Sequence, residues 1–108
     1  MKNLSYRFLL TIISLSLLML INACSNSTDV VESGTYEGTV DKVEPEKSEI
    51  YVKTDDGKRL ELYFTDETQL STNGATVPFS VLMEGQRVSV QVEKVGQRLD
   101  PIKVEILE

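Results

Sequence analysis

The sequence predicts an all-β domain, a small five-stranded antiparallel barrel with a short helical turn between its third and fourth strands. Three observations predict it. Beyond Gly34, apolar and polar residues alternate in short runs, which is the period of half-buried strands. Asp-Gly, Asn-Gly and Gly-Gln pairs lie between several runs, as tight turns require. The runs also come in a set order: a bent first strand, a hairpin, an insertion and two final strands.

The first strand begins at Gly34 and is predicted to bend. Tyr36, Gly38 and Val40 alternate with polar residues. The next apolar residue is Val43, so the two-residue period slips by one position. A β-bulge absorbs such a slip. Gly38, at mid-strand, marks a place where the chain can coil sharply.

The second and third strands are predicted to form a hairpin whose register follows from parity. Ile50 and Val52 face one way on the second strand. Leu60 and Leu62 repeat this alternation on the third strand. Apolar residues face each other only if the sum of paired residue numbers is even, which a three-residue loop at 55–57 gives and a two-residue loop does not. That loop is a type I turn followed by a glycine in the left-handed conformation.

The remaining segments complete the barrel. Residues 65–72 are predicted as a corner and a short strand with Leu70 inward. Residues 80–84 have room for one helical turn, with Ser80 as its N-cap. Two alternating runs then make the fourth and fifth strands. The predicted inward residues are Val40, Ile50, Val52, Leu60, Leu62, Phe64, Val88, Val90, Val92, Ile102, Val104 and Ile106.

This arrangement is that of an oligonucleotide/oligosaccharide-binding (OB) barrel. Short phrases of the chain carry a further likeness: Gly38-Thr39-Val40, Asp56-Gly57-Lys58, Thr68, Asn73-Gly74-Ala75-Thr76-Val77, Leu82-Met83-Glu84-Gly85-Gln86-Arg87-Val88 and Lys103-Val104-Glu105-Ile106. They resemble a family of small exported bacterial barrels of unknown function over most of residues 34–106. Because the phrases are turn and core residues, the resemblance implies a fold and no activity.

The N-terminal segment predicts export and a lipid anchor. Lys2 and Arg7 precede a mostly apolar run at 8–21. A helix over this run is about 21 Å long, shorter than a hydrocarbon core of about 30 Å, which favours a cleaved signal helix over a membrane span. Ile21-Asn22-Ala23-Cys24 resembles the lipobox of bacterial lipoproteins. The resemblance implies cleavage between Ala23 and Cys24 and a lipid on Cys24. The alternative is an incidental cysteine behind an ordinary signal peptide.

Three segments are therefore predicted: a signal peptide at 1–23, the lipidated cysteine and a flexible tether at 24–33, and the barrel at 34–108. All 17 acidic residues follow the cleavage point, together with 11 − 2 = 9 basic residues, so the mature net charge is 9 − 17 = −8. This charge disfavours nucleic acid as a partner. The protein is expected on the cell-envelope membrane, the outer membrane in a diderm cell and otherwise the outer face of the plasma membrane.

No catalytic residue, cofactor or metal site is predicted. Histidine is absent, so a serine nucleophile lacks its usual base. The acidic pairs Asp55-Asp56 and Asp66-Glu67 fit turns better than acid/base or calcium sites. The barrel also resembles periplasmic copper carriers, which implies soft ligands such as methionine and histidine. Only Met83 of these follows the cleavage point, and we interpret it as core or turn filler, so the carrier function is not expected.

One surface of the predicted hairpin is the candidate binding face. If Ile50 points inward, Tyr51 and Lys53 on the second strand point outward, as do Arg59 and Tyr63 on the third. Tyrosines beside positive charge suit a partner surface, although tyrosines are also common on half-covered strands. We expect a non-enzymatic interaction or structural module, anchored to the membrane, with another envelope protein as partner. The alternative is a lipoprotein that binds a small ligand or glycan through this face. Neither nucleic acid nor metal is expected as a partner.

Overall fold

The computed structural model describes residues 27–107. The described chain is almost entirely β-structure in one curved sheet with the strand order β3-β2-β1-β6-β7-β4-β5. Strand β3 lies beside β7, which brings the sheet toward a closed barrel. In chain order the elements are β1 (Gly34–Glu44), 3-10 helix η1 (Pro45–Lys47), β2 (Glu49–Thr54), β3 (Arg59–Tyr63), β4 (Gln69–Thr72), β5 (Ala75–Thr76), 3-10 helix η2 (Phe79–Val81), β6 (Arg87–Val95) and β7 (Arg98–Ile106).

Strand β1 bends as predicted. Its pairing with β2 shifts register between Val40 and Lys42, so the predicted bulge is confirmed. Gly38 lies opposite Thr54 of β2 and Val88 of β6, at the centre of three paired strands. β1 therefore joins the two halves of the barrel.

The hairpin of β2 and β3 has the predicted register. Ile50 pairs with Leu62, and Val52 pairs with Leu60. Gly57 has a φ of 92°, in the region where only glycine is unstrained. The predicted three-residue loop is confirmed, and with it the assignment of the inner and outer faces of both strands.

Three details of the fold differ from the prediction. The described chain has seven strands and not five, because β4, the short strand predicted within 65–72, and the two-residue β5 that follows it both join the sheet. β4 pairs with β7 in parallel, so the sheet is not wholly antiparallel. The helical turn is η2 at Phe79–Val81, and its N-cap is Pro78 rather than Ser80. Proline at this position presets φ near the value that a following turn needs.

The core confirms most of the inward set and corrects it at one position. Ile102 is 38% exposed, because a bulge in β7 opposite Gln91 and Val92 turns it outward. Leu99 and Pro101 are buried in its place. Phe64 is half-buried and meets Phe79 edge-on at 5.1 Å. The buried apolar residues are Val40, Ile50, Val52, Leu60, Leu62, Leu70, Leu82, Val88, Val90, Val92, Leu99, Val104 and Ile106.

Part of the segment predicted as a tether contacts the barrel. The backbone N–H of Asp29 donates to the carbonyl of Arg59 at 2.8 Å, and the N–H of Arg59 donates to the Asp29 carboxylate at 3.0 Å. Ser33 accepts a hydrogen bond from the backbone N–H of Lys94. The chain before Gly34 thus contacts β3 at Asp29 and β6 at Ser33. Ala23 and Cys24 lie outside the described residues, and the predicted domain limits stay predictions. Within residues 27–107, no helix has the length and apolar character of a membrane span.

Candidate functional site

The four residues of the predicted binding face lie on the outer side of β2 and β3. Tyr51 lies opposite Glu61, and Lys53 lies opposite Arg59. We call this surface the hairpin face and define it by six residues, three on each strand: Glu49, Tyr51, Lys53, Arg59, Glu61 and Tyr63. Its use in binding stays a prediction.

Arg59 stacks on Tyr51 within the hairpin face. The guanidinium carbon of Arg59 lies 4.2 Å from the centre of the Tyr51 ring, within the range of a cation-π contact. The Nε of Arg59 also donates to Asp41 at 3.0 Å. Lys42 lies over the same ring at 5.8 Å. The Arg59 guanidinium thus contacts both the Tyr51 ring and Asp41 within the domain. We therefore interpret Arg59 as a residue that positions the Tyr51 ring.

Both tyrosine hydroxyls converge on one carboxylate oxygen. Tyr51 donates to Oε2 of Glu61 at 3.3 Å, and Tyr63 donates to the same oxygen at 3.1 Å. The two tyrosines differ in exposure, since Tyr51 is half-buried and Tyr63 is 44% exposed. Lys53, at the other end of the face, is exposed. The structure therefore divides the hairpin face into a polar centre, formed by Tyr51, Glu61 and the hydroxyl of Tyr63, and two exposed ends, the ring of Tyr63 and Lys53.

Glu49 is the residue that the sequence analysis missed. It lies opposite Tyr63 and two positions before Tyr51, so it belongs to the same polar centre. Its exposure is 0%, and neither of its carboxylate oxygens has a hydrogen-bond partner among the described residues. Nearby Lys42 and Lys47 are paired with Glu44, at 2.8 and 3.3 Å. A buried carboxylate without a partner raises the free energy of the folded state. We therefore expect Glu49 to bind a proton or another group.

The two carboxyls of the polar centre titrate in opposite directions. Burial raises the pKa of Glu49, and the neighbouring Glu61 carboxylate raises it further. The pKa of Glu61 is lowered by the adjacent Glu49 carboxyl as a potential donor and by the hydroxyls of Tyr63 and Tyr51. The two carboxyls form no hydrogen bond in this conformation, but they are near enough to influence each other. Burial also raises the pKa of Tyr51 to about 12, which keeps its hydroxyl protonated at neutral pH.

Two clefts adjoin the exposed end of the hairpin face, and Tyr63 lines both. The larger has a volume of about 660 Å³ and is also lined by Arg98, Asp100 and the outward-facing Ile102. The smaller has a volume of about 200 Å³ and includes Val30 from the N-terminal segment. An aromatic ring and two exposed aliphatic side chains thus lie together beside charged groups.

The acidic turns show features that fit the turn interpretation. Asp56 accepts a hydrogen bond from the Thr54 hydroxyl, and Asp55 binds Arg87 at 2.7 Å. The hydroxyl of Thr65 accepts from the backbone N–H of Glu67. Among residues 27–107, no group of three or more histidine, cysteine or acidic side chains is arranged to hold a metal ion.

Met83 is not a core residue. Its side chain is 61% exposed, beyond η2, so the interpretation as core filler is wrong. The backbone N–H of Met83 donates to the side-chain oxygen of Gln86 at 2.9 Å, and this bond fixes the turn without using the thioether. Because this bond involves only the backbone of Met83, its side chain can face solvent.

No family model matches the chain, and no curated protein matches it either. Solved structures do match it in fold. A CusF variant with Cu(II) from Escherichia coli has a TM-score of 0.57 and 12% identity, over 71% of this chain and 94% of that one. CusF with Ag(I) from the same organism has a TM-score of 0.56 at 12% identity, over 71% and 94%. Apo-CusF has a TM-score of 0.55 at 12% identity, over 71% and 89%.

These neighbours confirm an all-β, barrel-like fold for this chain. They also correct one expectation, the exclusion of metal as a partner. Solved structures that share the fold are complexes with Cu(II) and Ag(I), so the fold accommodates metal ions and the exclusion is wrong. At 12% identity the likeness extends to the fold alone.

Proposed function

We propose that this protein is an envelope lipoprotein, anchored by a lipid on Cys24, whose barrel is a non-enzymatic binding module. The lipobox-like sequence at 21–24 supports the anchor. The contacts of Asp29 with Arg59 support a short link, because only residues 25–28 lie between Cys24 and this attachment to the barrel. Four extended residues span about 14 Å at most, so the barrel stays close to the membrane surface.

One observation carries the proposed binding role: Tyr63 is exposed between two clefts and lies beside exposed aliphatic residues. Tyrosine buries a large area on binding while its hydroxyl remains hydrogen-bonded, and it is enriched at protein interfaces. Acidic residues surround the larger cleft, including Asp66, Glu93 and Asp100. The partner is accordingly an envelope protein that presents basic side chains to this cleft.

A cross-linking experiment tests the binding surface. Tyr63→Ala removes the central ring, and we expect at least about a tenfold loss of the cross-linked complex in native membranes, because central aromatic residues dominate interface energies. Met83→Ala is the matched control, since Met83 is also exposed but lies away from both clefts. An undiminished complex in Tyr63→Ala, with circular dichroism unchanged, excludes this surface.

The larger cleft also favours a second candidate function, binding of a small ligand or glycan. A cleft of about 660 Å³ is of the size that small-molecule sites have, and Tyr63 offers a ring face for a sugar. The two candidate functions predict different results in a glycan-binding assay and in the cross-linking experiment. Tyr63-dependent binding of a soluble envelope glycan, with no change in protein cross-linking, supports the second.

A separate experiment tests the anchor. Replacing Cys24 with alanine removes the thiol that would carry the diacylglyceryl group, so we expect an uncleaved precursor and loss of the mature membrane-bound form. Two or more acyl chains hold a protein on a membrane where one chain does not. Pulse labelling and detergent partitioning measure the effect, with globomycin treatment of the unchanged protein for comparison. Cleavage and partitioning of Cys24→Ala like the unchanged protein would contradict the proposal.

A further inference from the structure

We infer that the polar centre of the hairpin face is a binding site for a divalent cation that prefers oxygen ligands, held by Glu49 and Glu61 with the hydroxyls of Tyr51 and Tyr63. This site adjoins the proposed partner surface and shares Tyr63 with it, but it depends on the tyrosine hydroxyls and the carboxyls, whereas the partner surface depends on the ring of Tyr63 and the clefts. The site is independent of the lipid anchor.

The first step of the argument is the buried carboxyl. Glu49 has 0% exposure and no hydrogen-bond partner for either oxygen among the described residues. Buried carboxyls in proteins are normally hydrogen-bonded, paired with a cation or bound to metal. The two lysines of the neighbouring strand and turn already pair with Glu44. Both oxygens of Glu49 thus lack a hydrogen bond to any described residue in this conformation, although the nearby hydroxyls of Tyr63 and Tyr51 and the charge of Lys42 favour its ionised form.

The second step is the set of oxygen donors around it. Glu49, Tyr51, Glu61 and Tyr63 occupy four adjacent outward positions, two on each strand. Both hydroxyls already point at Oε2 of Glu61, so three oxygen-bearing side chains meet beside the unpartnered carboxyl. The two acidic residues supply four carboxylate oxygens and the tyrosines two neutral ones. Carboxylate and other oxygen ligands suit Ca²⁺, Mg²⁺ and Mn²⁺.

The third step is the charge of the surroundings. A divalent cation neutralises the two carboxylates, which otherwise repel each other where Glu49 is buried and Glu61 is half-buried. Asp41 and Glu44 each hold basic partners of their own, Arg59 for the first and Lys42 with Lys47 for the second. Together these groups carry three positive and two negative charges, 3 − 2 = +1, so a cation would be held by direct contact with Glu49 and Glu61 and not by the charge of their surroundings. Soft ions such as Ag⁺ lack sulfur and imidazole ligands there and are not expected to bind.

Thermal unfolding of the full-length chain in detergent tests the site. After treatment with a chelator, CaCl₂, MgCl₂ and MnCl₂ are added separately. At about 100 times the dissociation constant, a bound cation raises the midpoint of a domain of this size by about 10 °C. We expect this rise for at least one of the three ions, and we expect it to vanish in Glu49→Gln. Glu61→Gln should weaken binding at least about tenfold, as loss of even a supporting group does.

Glu84→Gln is the matched control, because Glu84 is an exposed glutamate that belongs neither to the polar centre nor to either cleft. It should bind the cation as the unchanged protein does. The chain contains no tryptophan, so Tb³⁺ bound at the site receives its excitation only from nearby tyrosines and gives a direct readout. Tyr51→Phe should reduce this luminescence. The inference is overturned if none of the three ions shifts the midpoint, or if Glu49→Gln and the unchanged protein respond equally.

Discussion

Replacement of Gly38 by alanine is expected to lower the free energy of unfolding by about 3 kcal/mol or more. A Cβ at this position would lie 2.3 Å from the carbonyl oxygen of Lys53 and 2.8 Å from the Cα of Thr54. Both atoms belong to the backbone of β2, so no side-chain rotation relieves the clash. The strands would have to separate at the centre of β1, where β1 pairs on both edges. Urea or thermal unfolding followed by circular dichroism measures the loss.

Gly34→Ala is the matched control for this prediction. Gly34 lies in the same strand, and the nearest atom to an added Cβ is a carbon of the Tyr36 ring at 3.9 Å, an ordinary contact. We expect a change below about 0.5 kcal/mol, as at other open surface positions. If both variants unfold at the same denaturant concentration, the close approach of β1 and β2 is not a determinant of stability.

The sequence was most informative where parity and turn chemistry acted together. The alternation of Ile50 and Val52 defines an inner face, and a glycine at 57 allows the one loop length that keeps the apolar residues of both strands on that face. The bulge in β1 could be predicted for the same reason, since Val43 breaks the period set by Val40. These signals are local, so a single sequence contains them.

Pairings between strands that are distant in the sequence could not be predicted from such local patterns. β4 pairs with β7 in parallel, a contact between residues more than 30 positions apart that no local pattern encodes. The bulge that exposes Ile102 arises from the pairing of β7 with β6. Alternation within β7 alone places Ile102 inward with Val104, whereas the bulge exposes it. The contact between the N-terminal segment and β3 could not be predicted either, because a polar segment without periodicity does not indicate which strand it binds.

The candidate site was predicted in part. Parity placed Tyr51 and Tyr63 on the outer face with Glu61 opposite Tyr51, as observed. The same parity puts Glu49 on that face, two positions before Tyr51, so a signal for its orientation existed. Its burial had no such signal, because solvent exclusion depends on how the neighbouring side chains pack over it. A glutamate at the start of a strand is ordinarily exposed, which is why Glu49 was passed over.

Replacement of Leu62 by alanine is expected to cost about 2 to 5 kcal/mol of stability. Leu62 has 0% exposure, lies opposite Ile50 and belongs to the one apolar core of the described chain. Truncation removes most of its side chain and leaves a cavity that β2, paired with β3, and β7, which lies on its other side, cannot easily close. The cost is a large share of the stability of a small domain without disulfides, so partial unfolding near physiological temperature is expected.

Leu107→Ala separates this burial effect from the substitution itself. Leu107 is 42% exposed, just beyond β7, and undergoes the same chemical change. We expect a cost well below 1 kcal/mol there, because the side chain transfers little surface out of water on folding. Both variants are compared by urea unfolding of the full-length chain, in the presence of a chelator so that cation binding does not contribute. Glu49 and Glu61 alternate with Ile50 and Leu62 on the same two strands. A cost at Leu62 as small as the one expected at Leu107 would therefore contradict the assigned inner and outer faces of the hairpin. The cation site would then lose its burial, and the argument for it would fail together with that for the core.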